Sequence, residues 1–198
     1  MPRVAGQIDP RKSEAILEAA SALFAEHGPS VTMEGIAREA GVSKQTLYNR
    51  FASKADIARA LAEKRSNYVT APLGTDADPL TVLTALAAAL LERVCTAAKG
   101  ESLRAVALMT PAAPDIALAI YEGGPGASLR KLSTWLQAQD AKGLLAVPDA
   151  DLAAEMFTGM VLGHGHLRSL LGVPHPTDSF DVRAAEAARR FIRAFAPE

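Results

Sequence analysis

The first third of the chain alternates apolar residues at helical spacing with residues that start or stop helices. Pro10 suits the first position of a helix, because its missing N–H would have no partner there in any case. Apolar residues then recur from Ile16 to Phe24, and the Gly28-Pro29 pair predicts the end of this helix. Three further short helices follow, and their predicted N-caps are Thr32, Ser43 and Ser53.

The second and third helices of the chain, which begin after Thr32 and Ser43, have the arrangement of a helix-turn-helix DNA-binding motif. Gly41 can adopt the left-handed conformation that ends a helix, and Val42 fills the angle between the two helices. In the third helix Leu47 and Phe51 face inward, which leaves polar side chains on the outside. Such groups can bond base edges or phosphates, and helix N-termini attract phosphate. The predicted DNA contacts are Thr32, Ser43, Lys44, Gln45, Thr46, Tyr48, Asn49 and Lys54, and Arg3, Arg11 and Lys12 are candidates for further contacts.

Each of these residues also has a plainer interpretation. Thr32 and Ser43 cap helices whether or not they touch DNA. The charged side chains can be solvated, and the outer face of the third helix can simply be an exposed helix surface. The agreement of spacing, cap, glycine and aromatic residue favours DNA contact for the third helix.

Residues 72–79, rich in Pro, Gly and Asp, form the clearest break in the pattern. Further helices are predicted at 80–98, 103–110, 116–142, 149–171 and 180–195, with a bend at 123–126 and no stretch that has the period of a strand. We therefore predict an all-α fold. It consists of a three-helix DNA-binding domain at 1–53, a connecting helix at 54–71 and a helical-bundle domain at 80–198.

Composition narrows the classes of protein to which the chain can belong. With 198 residues, 49% of them apolar, it can bury a real core, and a net charge of −1 does not by itself indicate nucleic-acid binding. Residues 1–65 carry ten Lys/Arg and eight Asp/Glu, whereas 66–198 carry eleven and fourteen, which is the right sign for a DNA-facing N-terminal module. The single Cys95 excludes an internal disulfide. Without an apolar leader or a membrane-length segment, we expect a cytoplasmic protein.

The first part of the chain resembles the TetR family of bacterial transcriptional repressors over residues 10–60. Gly35 departs from the family pattern, which usually has a helix-favouring residue there. The resemblance implies a three-helix DNA-binding head, an all-helical ligand-sensing body and a homodimer. The matching residues are Ile16-Leu17-Glu18-Ala19-Ala20, Leu23-Phe24, Gly28, Val31-Thr32-Met33, Ile36-Ala37, Ala40-Gly41-Val42-Ser43-Lys44, Thr46-Leu47-Tyr48, Phe51 and Ser53-Lys54.

The segment from Arg104 onward resembles the C-terminal domain of AefR-like TetR regulators. The features that carry this resemblance are Tyr121-Glu122-Gly123-Gly124-Pro125, Gly143-Leu144-Leu145, Asp151-Leu152-Ala153-Ala154 and Phe157-Thr158-Gly159. Apolar stripes on the last two helices then indicate an isologous four-helix dimer interface. The alternative is that both stripes cover the core of the monomer. The predicted interface consists of Leu152, Met156, Gly159, Gly163, Leu167, Val182, Ala185 and Ile192.

Apolar and aromatic residues of the predicted body are candidates for an effector pocket, although for almost every one of them hydrophobic core is the ordinary interpretation. Their mixture favours an apolar or aromatic effector over a highly charged one. The candidates are Tyr68, Leu86, Leu90, Met109, Tyr121, Trp135, Phe157, Met160 and His164. No metal site or cofactor is predicted, because His164 and His166 are two residues apart on a helix and point to different faces.

The sequence therefore predicts a ligand-responsive transcriptional regulator, a repressor by resemblance, that binds a palindromic DNA operator as a homodimer and is released by a small molecule. One alternative is an architectural DNA-binding protein without an effector. Another is a helical-bundle enzyme, but no catalytic motif is found and no catalytic residue is predicted. The operator sequence, the effector and the sign of regulation, repression or activation, are left open.

Overall fold

The part of the chain that the computed structural model describes folds into eleven α-helices and two short 3-10 turns, joined by loops. That part is residues 10–95, 97–175 and 180–197, with side chains throughout except at 97–101. It contains no strand, which confirms the predicted all-α fold. The helices are α1 (Pro10–His27), α2 (Met33–Glu39), α3 (Lys44–Tyr48), α4 (Lys54–Val69), α5 (Pro79–Cys95), α6 (Ala97–Met109), α7 (Pro114–Gly123), α8 (Pro125–Ala141), α9 (Ala150–Leu162), α10 (Gly165–Leu171) and α11 (Phe180–Ala194).

The ends of the first helices lie where the sequence predicts them. The three predicted caps each accept a backbone N–H three residues on, from Gly35 to Thr32, Thr46 to Ser43 and Asp56 to Ser53. Gly41 has φ +63°, the left-handed value that lets α2 stop and the chain turn into α3. Local side chains and one glycine therefore determine the turn between α2 and α3.

Helices α1 to α3 and the start of α4 enclose one small core, which we call the head core. Its half-buried rim includes Leu17, Leu23, Phe24 and Phe51. The buried members are Ile16, Ala20, Val31, Met33, Ile36, Ala37, Leu47 and Ile57.

Helix α4 takes part in three separate cores. Ile57 belongs to the head core, and Ala58 packs with Ala113 and Ile116 around α7. Val69, at the other end of α4, belongs to a large core formed mainly by α5, α8, α9 and α11, which we call the body core. One helix thus connects the head to the body, and the division at residues 53 and 71 stays a prediction.

The body differs from the predicted helices at one point that bears on function. The sequence pattern predicts one helix over 149–171, but α9 ends at Leu162 and α10 begins at Gly165. Gly163, with φ +48°, lies in the break, and a Cβ there would be 2.7 Å from Nη2 of Arg183. The prediction of a single helix is wrong because Gly163 leaves the helical conformation, and Nε of Arg183, from the distant helix α11, donates to the Val161 oxygen at 2.7 Å beside the break. Periodicity cannot reveal a contact of this kind. By contrast, the predicted bend at 123–126 separates α7 from α8.

The contact of α4 with α7 depends on a glycine. A Cβ built on Gly123 would lie 2.5 Å from the backbone oxygen of Arg59, closer than any side chain can approach. Beside this contact Nη2 of Arg59 donates to Oε2 of Glu122 at 2.9 Å. The absence of a side chain at Gly123 therefore lets the connecting helix lie directly against the body.

We expect Gly123→Ala to lower the free energy of unfolding by about 1–3 kcal/mol, the usual cost of overpacking. The gain in helix propensity is small because Gly123 is the last residue of α7. Urea denaturation followed by circular dichroism measures the change. Gly74→Ala is the matched control, because Gly74 also ends a helical segment and has open space around its Cβ position. An unchanged midpoint for Gly123→Ala would contradict the close packing of α4 on α7.

Among the described residues, no helix combines the length and the apolar composition needed to cross a membrane.

Candidate nucleic-acid interface

Helix α3 presents a polar surface that is supported by one buried side chain. Leu47 is fully buried in the head core, whereas Tyr48, the next residue, is 45% exposed. The side chains of Ser43, Lys44, Gln45 and Asn49 are exposed as well. A five-residue helix has little stability of its own, so its position depends on the cap at Ser43 and on Leu47. The structure thus brings these predicted DNA contacts onto one exposed surface, which we call the reading face.

Side chains of the reading face are paired with one another and with α2. Nε2 of Gln45 donates to Oδ1 of Asn49 at 2.8 Å, and the hydroxyls of Ser43 and Thr46 lie 2.9 Å apart. Nζ of Lys44 lies 3.1 Å from Oε1 of Glu34. The pairs hold donors and acceptors in fixed positions, and each group keeps further capacity for a base or phosphate.

Glu34 is a member of this surface that the sequence analysis missed. Its own backbone N–H at the start of α2, and then the Lys44 ammonium, hold the pKa of the Glu34 carboxyl below its usual value. The carboxylate is therefore ionised at neutral pH and orients Lys44. An acidic residue in the first turn of a helix was a signal that could have identified it.

Two predicted DNA contacts also have structural tasks. Thr32 caps α2 through a 3.0 Å bond from the Gly35 N–H. Nζ of Lys54 donates to the backbone oxygen of Pro29 at 2.7 Å and so fastens the turn after α1 to the start of α4. Nη1 of Arg50 donates to Oγ of Ser13 at 2.5 Å, a second tie that the sequence did not suggest. Arg3 lies outside the described residues.

The candidate effector residues lie in three different environments. Leu86, Trp135 and Phe157 are buried in the body core, and Leu90 packs against it. Met109 packs instead against the small cluster between α4 and α7. The remaining four, Tyr68, Tyr121, Met160 and His164, are exposed. The structure does not gather the nine candidate residues around one site, and their role in ligand binding stays a prediction.

A groove of about 330 Å³ lies between α4 and α5, at the C-terminal end of α4. Of the nine candidate effector residues, Tyr68 lines this groove and the other eight do not. Its lining consists of Lys64, Arg65, Tyr68, Val69, Ala89, Glu92 and Arg93.

The predicted dimer residues of α9 form an exposed apolar row. Leu152 and Met156 are 54% and 51% exposed, and Met160, one turn further, is exposed too. The other side of the same helix, with Phe157 and Val161, is buried in the body core. Leu167 and Val182 are likewise exposed, whereas Ala185 and Ile192 are half-buried. Four of the predicted residues, Leu152, Met156, Leu167 and Val182, therefore do not serve the core of the monomer.

The two glycines of the predicted interface differ from each other. Gly159 is exposed within α9 and has open space at its Cβ position. Gly163 lies in the break after α9, so these two residues of the predicted interface do not lie on a single helix.

The histidines do not suggest a metal site in the part of the chain that is described, where no three potential metal ligands lie close together. His164 is exposed. Burial, followed by the charges of Arg168 and Arg183, lowers the pKa of His175, and its Nε2 lies 3.2 Å from Oγ of Ser169. These contacts are typical of a structural histidine.

Comparison with known proteins agrees with this architecture. The family model of the AefR-like transcriptional repressor C-terminal domain matches residues 81–197, and that of bacterial regulatory proteins of the tetR family matches residues 16–61. The HTH-type transcriptional repressor KstR2 of Mycobacterium tuberculosis is 47% identical over 58 residues, which are 29% of this chain and 28% of that protein. The chain thus aligns with little more than a quarter of the length of the curated relatives it matches.

Two solved structures resemble the whole chain. The flavonoid-responsive regulator FrrA is 29% identical with a TM-score of 0.69, and the match covers 96% of this chain and all of that one. A TetR transcriptional regulator from Agrobacterium tumefaciens is 25% identical with a TM-score of 0.72, over 96% and 97% of the two chains. The chain belongs to the TetR family and is a helix-turn-helix transcriptional regulator rather than an enzyme.

Proposed function

We propose that this regulator is a cytoplasmic repressor that binds a palindromic operator as a homodimer and leaves it when a small apolar or aromatic effector binds the body. The observation that carries the proposal is the reading face of α3, in which exposed polar side chains lie directly above the buried Leu47. A face of this kind suits the major groove, where amide, ammonium and phenol groups meet base edges and phosphates.

A homodimer accounts for the exposed apolar row of α9. Contiguous apolar surface on a water-exposed face is typical of an interface. A twofold dimer then sets two reading faces about one turn of DNA apart (~34 Å), or a multiple of it, which matches a palindrome. We infer that α9, together with α10 and α11, forms this interface.

The proposed effector is a small apolar or aromatic molecule that regulates DNA binding. The similar regulator FrrA is described as flavonoid-responsive. Flavonoids are aromatic, which agrees with the effector class that we propose here. An effector can release DNA only if it binds the DNA-free state more tightly, and the operator must weaken effector binding by the same factor.

Selection of genomic DNA fragments by the purified protein, at physiological salt, tests the proposal. A palindromic motif upstream of a neighbouring gene would support a specific dimeric regulator. Binding that ignores sequence and disappears with added salt would contradict it and favour the architectural alternative.

We expect Tyr48→Ala to weaken binding to the selected operator by about 10-fold, since one contact at a base or phosphate contributes about 1–3 kcal/mol. The fold should persist because Tyr48 is 45% exposed. Fluorescence anisotropy with a labelled operator measures the affinity. Tyr121→Ala is the matched control, since it removes a similarly exposed tyrosine from the body. If both variants bound like the wild type, the reading face would not dock as proposed.

A further inference from the structure

The groove between α4 and α5 holds two arginines that lack an acidic partner. Neither Arg65 nor Arg93 forms an ion pair with a carboxylate among the described residues. Lys64, at the rim, is neutralised by its ion pair with Glu14 of α1. Glu92 also lines the groove and forms no ion pair with either guanidinium group. The unpaired charges of the groove therefore sum to one positive charge.

The surroundings of Arg93 destabilise its positive charge. It is half-buried, and burial followed by the nearby charge of Arg65 lowers the pKa of its guanidinium. An arginine stays protonated at neutral pH all the same, so the unfavourable energy of the charged form remains. An anion between the two side chains would relieve both the lost hydration and the repulsion.

The walls of the groove limit the shape and the charge of that anion. Tyr68, 75% exposed, and the apolar side chains of Val69 and Ala89 provide surface for a ring or a hydrocarbon chain. The volume of about 330 Å³ is at the lower end of the range for small-molecule sites. Because Glu92 repels additional negative charge, a monoanion fits better than a dianion such as phosphate.

We propose that this groove binds small apolar carboxylates, with the carboxylate paired to Arg65 and Arg93 and the apolar part lying against Tyr68, Val69 and Ala89. Arginine suits this task because its planar group bonds both oxygens of a carboxylate. The proposal deepens the proposed function, since it gives the effector a location and a charge, and it rests on that function only for the effect on DNA.

The groove is also well placed to affect the head. It lies between the connecting helix and the body, and Lys64 at its rim is bound to Glu14 of the first head helix. A ligand that draws α4 and α5 together would act on α4, the helix that connects the head to the body. Operator affinity measured with and without such a ligand therefore tests whether the groove controls the head.

Isothermal titration of the full chain with 2-naphthoate, and with the neutral 2-naphthamide, tests the proposal. We expect the carboxylate to bind about 10-fold or more tightly than the amide, as a charge-assisted pair requires. Inorganic phosphate, the third probe, should bind more weakly than naphthoate.

Substitutions in the groove should remove this preference. Arg93→Gln and Arg65→Gln should each weaken naphthoate binding by about 10-fold, with partial recovery in Arg93→Lys. Lys142→Gln is the matched control, because it removes one positive charge from an exposed position of the body outside the groove. Its naphthoate affinity should equal that of the wild type.

Thermal melting without ligand separates a binding role from a structural one. Arg93 lies in the last turn of α5, where a cation can simply stabilise the end of the helix. In that case Arg93→Gln would lower the melting temperature and leave naphthoate binding unchanged, which would overturn the proposal. Equal affinity of the wild type for naphthoate and naphthamide would overturn it as well.

The effect of naphthoate on DNA binding is measured with the operator found by fragment selection. Naphthoate that binds the groove and weakens operator binding would support both proposals. In the alternative outcome, naphthoate binding is lost in Arg93→Gln while naphthoate leaves the operator affinity of the wild type unchanged. This result would support the carboxylate site and count against its role as the effector site of the proposed function.

Discussion

Met156→Arg should leave the protein monomeric and lower its affinity for a palindromic operator by about 100-fold or more. The side chain is 51% exposed and lies one turn from both Leu152 and Met160 in the apolar row of α9. In a twofold interface every residue of the row occurs twice, so one substitution places two arginines in an apolar contact. Burying such unpaired charges is unfavourable enough to prevent association.

The loss of operator affinity follows from the geometry of a palindrome. In a dimer, binding of one head places the second head at a high effective concentration over its half-site, which raises overall affinity by about 10²–10⁴-fold. A monomer keeps an intact reading face but loses this factor. The variant should therefore bind a full operator and an isolated half-site with the same affinity, whereas the wild type should prefer the full operator.

Sedimentation velocity and operator anisotropy measure the two effects on the same preparation. Leu108→Arg is the matched control, since Leu108 is an apolar residue 81% exposed on α6, outside the predicted interface. It should remain a dimer with wild-type operator affinity. A Met156→Arg protein that stays dimeric would place the interface on another face of the body, and a change in Leu108→Arg alone would point to α6.

The head could be predicted closely because its structure depends on local chemistry. A cap hydroxyl three residues before the N–H it accepts, and a glycine that must turn left-handed, are readable from neighbouring residues. They are found at Thr32, Ser43 and Gly41. The contact from Lys54 to the Pro29 oxygen spans 25 residues, so no local pattern contained it.

The body was harder to predict because distant contacts determine its details. Apolar periodicity runs from α9 into α10, and the break at Gly163 depends on Arg183 of α11. Periodicity also cannot separate the buried Phe157 from the exposed Met156, since α9 is apolar on both sides. Arg65 and Arg93 line one groove only because α4 packs on α5. Sequence reasoning could name an apolar effector but could not find these charges.

Leu47→Ala should destabilise the head by about 2–5 kcal/mol, the usual cost of removing a large buried side chain. Leu47 is fully buried and joins α3 to the rest of the head core. A helix of five residues cannot hold its position without such an anchor. Operator binding should fall together with head stability, in contrast to Tyr48→Ala, which should affect binding alone. Leu47→Met, which nearly conserves volume, should lose less than about 1.5 kcal/mol.

Two probes can show whether the head unfolds separately from the body. The single tryptophan, Trp135, is buried in the body core, so its fluorescence reports on the body, whereas circular dichroism reports on all helices. For Leu47→Ala we expect the dichroism transition in urea to shift more than the fluorescence transition. Leu136→Ala, which empties an equally buried position beside Trp135 in the body core, should shift the fluorescence transition at least as much as the dichroism transition. Equal shifts of both probes for Leu47→Ala would mean that α4 couples head and body into one cooperative unit, and the predicted domain division would then be wrong.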